Sequence, residues 1–186
     1  MKTTKPIKSQ KQLREFKNYY LYKEEYRNYL LVSVCLNSAL RISDVLKLKA
    51  EDFYSFEGKH LQTHFMLWEQ KTGKYTEILI NQPIKTAFRL YVKNCGLERG
   101  YIFKNRQGNP ISRIQAYRII RNGADAVGIN ASCHSLRKTF GYYAWKKGTP
   151  SVMLMKIYNH SSYEVTKRYL GIDQEDKDRV YSKVRL

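Results

Sequence analysis

Between residues 53 and 80 the chain changes its period, and this change constrains the fold more than any other feature. On either side, apolar residues recur at helical spacing; here they alternate. Residues 64–69 read His-Phe-Met-Leu-Trp-Glu, residues 75–80 read Tyr-Thr-Glu-Ile-Leu-Ile, and Lys71-Thr72-Gly73-Lys74 between them has turn chemistry. These stretches form one hairpin with a lysine at each end of its tip. Helices, a small sheet, then helices again give an α+β fold, mostly helical with a small antiparallel hairpin or sheet.

The helical stretches are marked by their caps. Ser9 with Gln12 has the form of a capping box and opens a helix to about residue 20. A second helix over residues 24–37 carries Tyr26, Tyr29, Leu30 and Val34 on one face. Ser43 is a good N-cap and Asp44 suits the first turn of a short helix reaching Leu48. Arg41 then lies just before a helix N-terminus, where free N–H groups can hold an anion. Pro83 opens a helix to about residue 94, with Gly96 as its stop. Ser112 and Gln115 form another box, opening a helix to about residue 127 that carries Arg113, Arg118 and Arg121. These arginines contact phosphates or form a solvated face; both readings stay open.

The helix over residues 132–147 places His134 and Arg137 three apart, on one face. Thr149-Pro150 starts the next helix, with Val152, Met155 and Tyr158 on one side and Asn159 to close it. Ser161 with Glu164 reads as a further capping box, so His160 falls just before a helix whose last turn holds Tyr169 and which Gly171 stops. The domain division follows: a basic arm over residues 1–8, disordered at its start; one domain over 9–172; and a charged tail over 173–186, helical when ordered.

Charge narrows the function. Lys and Arg number 34 against 16 Asp and Glu, a formal charge of +18. Such a charge repels itself in a compact state and is most simply neutralised by a polyanion, of which nucleic acid is the commonest. An anionic membrane would need a basic amphipathic helix or a lipid signal, and neither is present. The apolar run 29–36 is too short to span a bilayer. An apolar content of 42% excludes a disordered tail. Three cysteines, Cys35, Cys95 and Cys133, have no pairing motif and fit reduced thiols in a cytoplasm. The four histidines and three cysteines lack zinc spacing, and the acidic residues do not cluster as a two-metal site, so no metal or other cofactor is expected.

A phosphodiester can be cleaved by transesterification with the groups present. Tyr169 supplies a hydroxyl nucleophile. Arg41 and Arg137 fork N–H donors onto phosphate oxygens, His134 and His160 donate hydrogen bonds or shuttle the nucleophile's proton, and Lys71 reaches the leaving 5′-oxygen as general acid. Each piece is weak alone. The string Arg41-x-x-Asp44, Lys71-Thr-Gly, His134-x-x-Arg137, His160 and Tyr169, in that order and spacing, resembles the catalytic set of the tyrosine recombinases, the phage-type integrase family. The resemblance implies a tyrosine-recombinase catalytic domain with Arg41 and Arg137 as phosphate clamps, Lys71 as the hairpin lysine, His134 and His160 as the two histidines, Tyr169 as the nucleophile and Asp44 as an orienting carboxylate. Lys74 competes with Lys71, and Lys74, Arg113, Arg118, Arg121 and Lys138 are the candidate DNA contacts. Ala39 and Asn159 stand where the family often has glycine.

The resemblance implies a site-specific recombinase or integrase of a mobile element, acting on double-stranded DNA through a 3′-phosphotyrosine without metal or ATP. It also implies self-association as a tetramer on DNA, with the tail docking on a neighbouring subunit, in a bacterial cytoplasm. The family usually carries a core-binding domain ahead of the catalytic one. Here the catalytic pattern begins near residue 1, which leaves a naturally short chain and a truncated one both open. A type IB topoisomerase-like enzyme and a non-catalytic DNA-binding regulator are the alternatives. In an unbroken helix, nine residues separate the backbones of His160 and Tyr169 by about 12 Å. Without DNA, Tyr169 is therefore expected to stand away from the Arg41–Arg137 pocket.

Overall fold

The computed structural model describes residues 4–184. The helical stretches appear where the caps place them. Helix α1 is Gln10–Tyr22, with the Ser9 hydroxyl accepting from the Gln12 amide at 3.3 Å. Helix α2 is Tyr26–Asn37, and every residue from Tyr29 to Leu36 is buried. An apolar run of that length, buried all round, makes α2 the central helix. It packs chiefly on α5 (Gln82–Cys95), and also on α1 and on α7 (Cys133–Lys146). Helix α6 (Arg113–Ala126) carries the reciprocal Ser112–Gln115 box in full.

Four short elements differ from expectation. Helix α3 is only Ile42–Val45, and its N-cap is Arg41 rather than Ser43. The amides of Asp44 and Val45 both donate to the Arg41 carbonyl, at 2.9 and 3.0 Å, which starts the turn two residues early. Helix α4 (Ala50–Phe53) and a small ladder of β1 (Tyr54–Ser55) with β2 (His60–Leu61) follow. These elements are too short to leave a periodic signal. The expected hairpin is β3 (His64–Trp68) with β4 (Tyr75–Leu79), antiparallel, with Trp68 opposite Tyr75 at the tip end. Its inward residue Phe65 meets Phe53, which stacks on Phe88 of α5 at 4.7 Å. That aromatic contact fixes the hairpin to the helical core.

The C-terminal part is a second, smaller apolar cluster. Helix α8 (Ser151–Tyr158) and helix α9 (Tyr163–Leu170) fold against α7 and bury Leu154, Tyr158 and Leu170 together with Ala39. Asn159 ends α8 in the left-handed conformation, φ 53°. The Ser161–Glu164 box does not form: Ser162 is the N-cap of α9 and makes no side-chain cap bond. Ala39 is also left-handed, φ 56°. Ala39 and Asn159 thus both occupy a conformation that glycine adopts freely and asparagine tolerates.

The ends of the chain are tied to this cluster. The basic arm packs over residues 4–8, and its start, where disorder is expected, lies at residues 1–3, outside the described residues. Ile7 is buried, and its amide donates to Thr139 Oγ1 at 2.9 Å. An apolar side chain and a partnered amide offset the ordering entropy that the charge pattern alone left unopposed. In the tail, helix α10 (Gln174–Lys183) begins with a buried Asp176, which accepts from Lys8 Nζ at 2.6 Å and from Tyr142 Oη at 3.0 Å. Lys8 also meets Asp173 at 2.7 Å.

One close approach holds α7 to α8. A Cβ added at Gly141 would lie 2.3 Å from the Tyr158 hydroxyl, and Tyr158 is fully buried. Gly141→Ala must therefore push that ring. It is expected to destabilise the protein by about 1–3 kcal/mol, the usual cost of overpacking. A denaturant titration measures it, and an unchanged midpoint would show that Tyr158 has room to move.

Candidate active site

Tyr158 is the floor of the site. Its hydroxyl donates to the Arg137 carbonyl at 2.7 Å, and Arg137 Nη2 donates back to the Tyr158 carbonyl at 3.0 Å. Its ring stacks on His160, centroids 5.0 Å apart and planes 15° apart, and lies 5.2 Å from the Tyr169 ring. The Arg137 guanidinium stands 5.0 Å from the same ring. One buried tyrosine thus seats three of the candidate residues.

Above this floor is an open cavity of about 510 Å³, lined by Arg41, Lys71, His134, Arg137, His160 and Tyr169. All six groups read from the sequence as reactive share it. Arg41 enters as the cap of α3, and Lys71 from the exposed turn after β3. His134 and Arg137 lie one turn apart on α7, His160 follows the left-handed Asn159, and Tyr169 lies in the last turn of α9. Lys74 does not reach the cavity.

The expected separation of Tyr169 from the pocket is not found. The His160 and Tyr169 rings are 4.7 Å apart, edge to face, and the Arg137 guanidinium carbon is 5.9 Å from the Tyr169 centroid. His160 lies outside α9, as expected, but its side chain leans back over the helix, where its Nδ1 is 3.0 Å from Thr166 Oγ1, so the backbone separation does not keep the rings apart. Thr166 and Tyr169 are three apart and share that face, and helical side chains slope toward the N-terminus.

The charges are unevenly satisfied. Arg137 is 3% exposed, and two of its nitrogens, Nε and Nη1, are buried with no hydrogen-bond partner among the described residues. A buried donor without a partner carries its full desolvation penalty. Burial, and then Arg41, push Arg137 below the usual arginine range, though an arginine remains cationic. Arg41 is paired with Glu69, which is 4% exposed. Asp44 makes no bond to Arg41: its Oδ1 accepts from the Gln70 amide at 3.0 Å, holding the hairpin end beside Lys71, and burial raises its carboxyl above the ordinary value. Burial, reinforced by Arg137 and Arg41, depresses His160 to about 4. Burial, and then the cations Arg137, Lys138, Lys71 and Arg41, lower His134. Both imidazoles are neutral at pH 7. Among the described residues, no three His, Cys, Asp or Glu side chains converge as metal ligands.

The candidate DNA contacts scatter. Arg113 lines the cavity. Arg118 lines a different pocket, with Arg27 and Arg106. Arg121 is held by Asp125 at 2.9 Å and by Asn130 at 2.8 Å. Lys138 is buried and turned inward, donating to the Thr4 carbonyl at 2.7 Å, with its ammonium 5.4 Å from the Tyr169 ring. It therefore offers no exposed charge to a phosphate; the helix places it on the inward side of α7. Tyr158 and Glu69 were missed from the sequence. Glu69 carried a signal: it continues the inward positions Phe65 and Leu67 of β3, where a carboxylate is out of place.

Two measurements follow from the depressed imidazoles. Between pH 6.5 and about 4 the unfolded chain takes up a proton at His160 that the folded chain does not. Stability therefore falls as pH drops through that window and is indifferent to this group above it. Urea midpoints at pH 7 and pH 5 should diverge in the native protein and diverge less in His160→Asn, where His134 still contributes. An anion in the cavity supplies the missing opposite charge, so inorganic phosphate should raise the His160 titration midpoint followed by NMR. A midpoint unmoved by phosphate would show that the cavity does not hold the anion.

The chain matches the phage integrase family over residues 8–176. It is 42% identical over 183 residues to a probable integrase/recombinase, YoeC, of Bacillus subtilis, covering 97% of each chain. It is 26% identical over 153 residues to the tyrosine recombinase XerA of Pyrococcus furiosus, covering 81% of this chain but only 52% of that one. Among solved structures, XerA recombinase superposes with a TM-score of 0.79 at 18% identity, over 99% of this chain and 68% of the other. XerH site-specific recombinase bound to palindromic difH substrate superposes with a TM-score of 0.75, over 98% of this chain and 54% of the other. No helix of the described residues is long and apolar enough to cross a membrane. With a family match across nearly the whole domain and a fold shared with its solved members, the chain belongs to the phage integrases, the tyrosine recombinases, a family of DNA strand-transfer enzymes.

Proposed function

We propose that this chain is a site-specific DNA recombinase that cleaves and rejoins double-stranded DNA through a phosphotyrosine at Tyr169. The observation that carries the reading is the pair of buried, unpartnered N–H groups of Arg137 beside the Tyr169 ring. They are donors held ready for an anion, and a scissile phosphate placed on them sits within reach of a phenol. The Tyr169 oxygen attacks phosphorus, and the bond from phosphorus to the 5′-oxygen breaks. The 3′-phosphate stays on the tyrosine. Lys71 gives a proton to the leaving 5′-oxygen. His160 and His134, neutral before the phosphate enters, take up the phenol proton or donate to phosphate oxygens. Attack by a 5′-hydroxyl of another strand reverses each bond change and seals the exchange. The bond energy is conserved, so the reaction draws on no ATP, and the cavity's own cations carry the transition-state charge. Exchange between two duplexes requires copies of the chain to assemble on DNA, with four in the complete complex; for the tail to link them, Asp176 must leave the contacts it makes with Lys8 and Tyr142 of its own chain.

DNA binding by this chain should depend steeply on salt. With a charge of +18, DNA affinity should fall with a slope of roughly −0.9 per phosphate neutralised. Incubation with a nicked suicide substrate drawn from the DNA flanking its gene should give a covalent complex on a denaturing gel. Tyr169→Phe should abolish it, and Arg137→Lys should slow it by about 10²-fold, because an ammonium cannot reproduce the fork. A complex that persists in Tyr169→Phe would remove the nucleophile. Binding without any complex would favour the regulator, and relaxation of plasmids regardless of sequence would favour the topoisomerase.

A further inference from the structure

Glu69 takes no part in the chemistry just described, yet three parts of the cavity meet on it. Its carboxylate is 4% exposed. One oxygen, Oε2, accepts from Arg41 Nη1 and from Thr72 Oγ1, the latter at 3.1 Å. The other, Oε1, accepts from Asn159 Nδ2 at 2.7 Å. Its backbone closes the turn that carries Lys71: the Gly73 amide donates to its carbonyl at 2.8 Å, and its own amide donates to the Lys74 carbonyl at 2.9 Å. Thr72 and Gly73 directly follow Lys71 in this turn. Asn159 is the left-handed residue immediately before His160.

We propose that Glu69 is the positioning residue of the site, fixing Arg41, the Lys71 turn and the His160 turn against one another from a single buried carboxylate. The inference rests on the strand-transfer reading above for its effect on rate. Two physical points favour positioning over simple competition with the phosphate. The pair engages Nη1 of Arg41, and a guanidinium presents five N–H donors, so the remaining donors can meet a phosphate while Glu69 holds the group. And a carboxylate whose two oxygens serve three different segments is arranged to brace them, since a charge placed only to occupy Arg41 would need no bond to Asn159. Asn159 gains a purpose here as well: glycine would fit its backbone conformation, but only a side-chain amide reaches Glu69.

The test compares native protein, Glu69→Ala and Glu69→Gln on the suicide substrate, reading DNA affinity and the single-turnover cleavage rate at saturating DNA separately. Glu69→Ala should cleave about 10²-fold more slowly, as expected when reacting groups are misplaced by an ångström, with DNA affinity changed by less than about threefold because phosphate contacts elsewhere dominate it. Glu69→Gln keeps an acceptor for Arg41 and should recover all but about tenfold of the rate. A native rate in Glu69→Ala, or tighter DNA binding with an unchanged rate, overturns the proposal. If Glu69→Ala does not fold, Glu69→Gln carries the test, and a native rate in it overturns the proposal. Failure of the native protein to form any covalent complex would instead overturn the strand-transfer reading. Glu69 is then judged by NMR relaxation of the Arg41 Nε–H group. It should be ordered in the native and Gln proteins and mobile in Glu69→Ala; equal order in all three overturns the positioning role.

Discussion

The buried guanidinium of Arg137 is the constraint on which the rest of the site depends. A charge at 3% exposure is costly unless its surroundings answer it. The protein answers one face of it and leaves the other. The reciprocal bonds between Arg137 and Tyr158 lock α7 to α8 and turn the tyrosine ring into a floor. On that floor His160 stacks and Tyr169 leans. Arg137 also lines the cavity, while its Nε and Nη1 stay buried and unpartnered among the described residues. The packing around Tyr158 and Gly141 therefore holds one buried cation in place, the one to which the proposed function assigns a phosphate.

The two arginines of the cavity are set differently. Arg41 is paired with a buried glutamate, while Arg137 is left with free donors. Two unpaired guanidinium groups side by side in a partly dry cavity would repel each other strongly; pairing one of them reduces the cost of assembling the site before an anion arrives. The imidazoles contribute to the same end. His160, depressed to about 4, adds no positive charge to the empty cavity. An entering phosphate changes this balance, because its charge favours the protonated form of the same ring.

Much of this was legible in the chain. The caps at Ser9, Ser112 and Asn159 were read correctly because capping is a local event between residues a few positions apart. The hairpin was found because alternation persists over five residues in each strand. The elements missed, α3 as it is bounded, α4 and the β1–β2 ladder, are shorter than the period that would announce them. The Ser161–Glu164 pattern failed because a capping motif states only what can bond. Here Ser162 begins the helix, and the path of the chain is set by Leu170 and Thr166 burying against α7 and α8.

Sequence alone determined the class of fold, which candidate residues belong together and the family, because residue type and spacing carry those directly. Tertiary structure alone decided how the residues meet. It turned Lys138 inward to the Thr4 carbonyl and drew residues 4–8 of the arm onto α7. It brought His160 back over α9 to touch Tyr169, and joined Arg41, Thr72 and Asn159 on Glu69 across 28, 3 and 90 residues of chain. Contacts at such separations leave no periodic trace, since they depend on where packed elements cross and not on the pattern within any one of them.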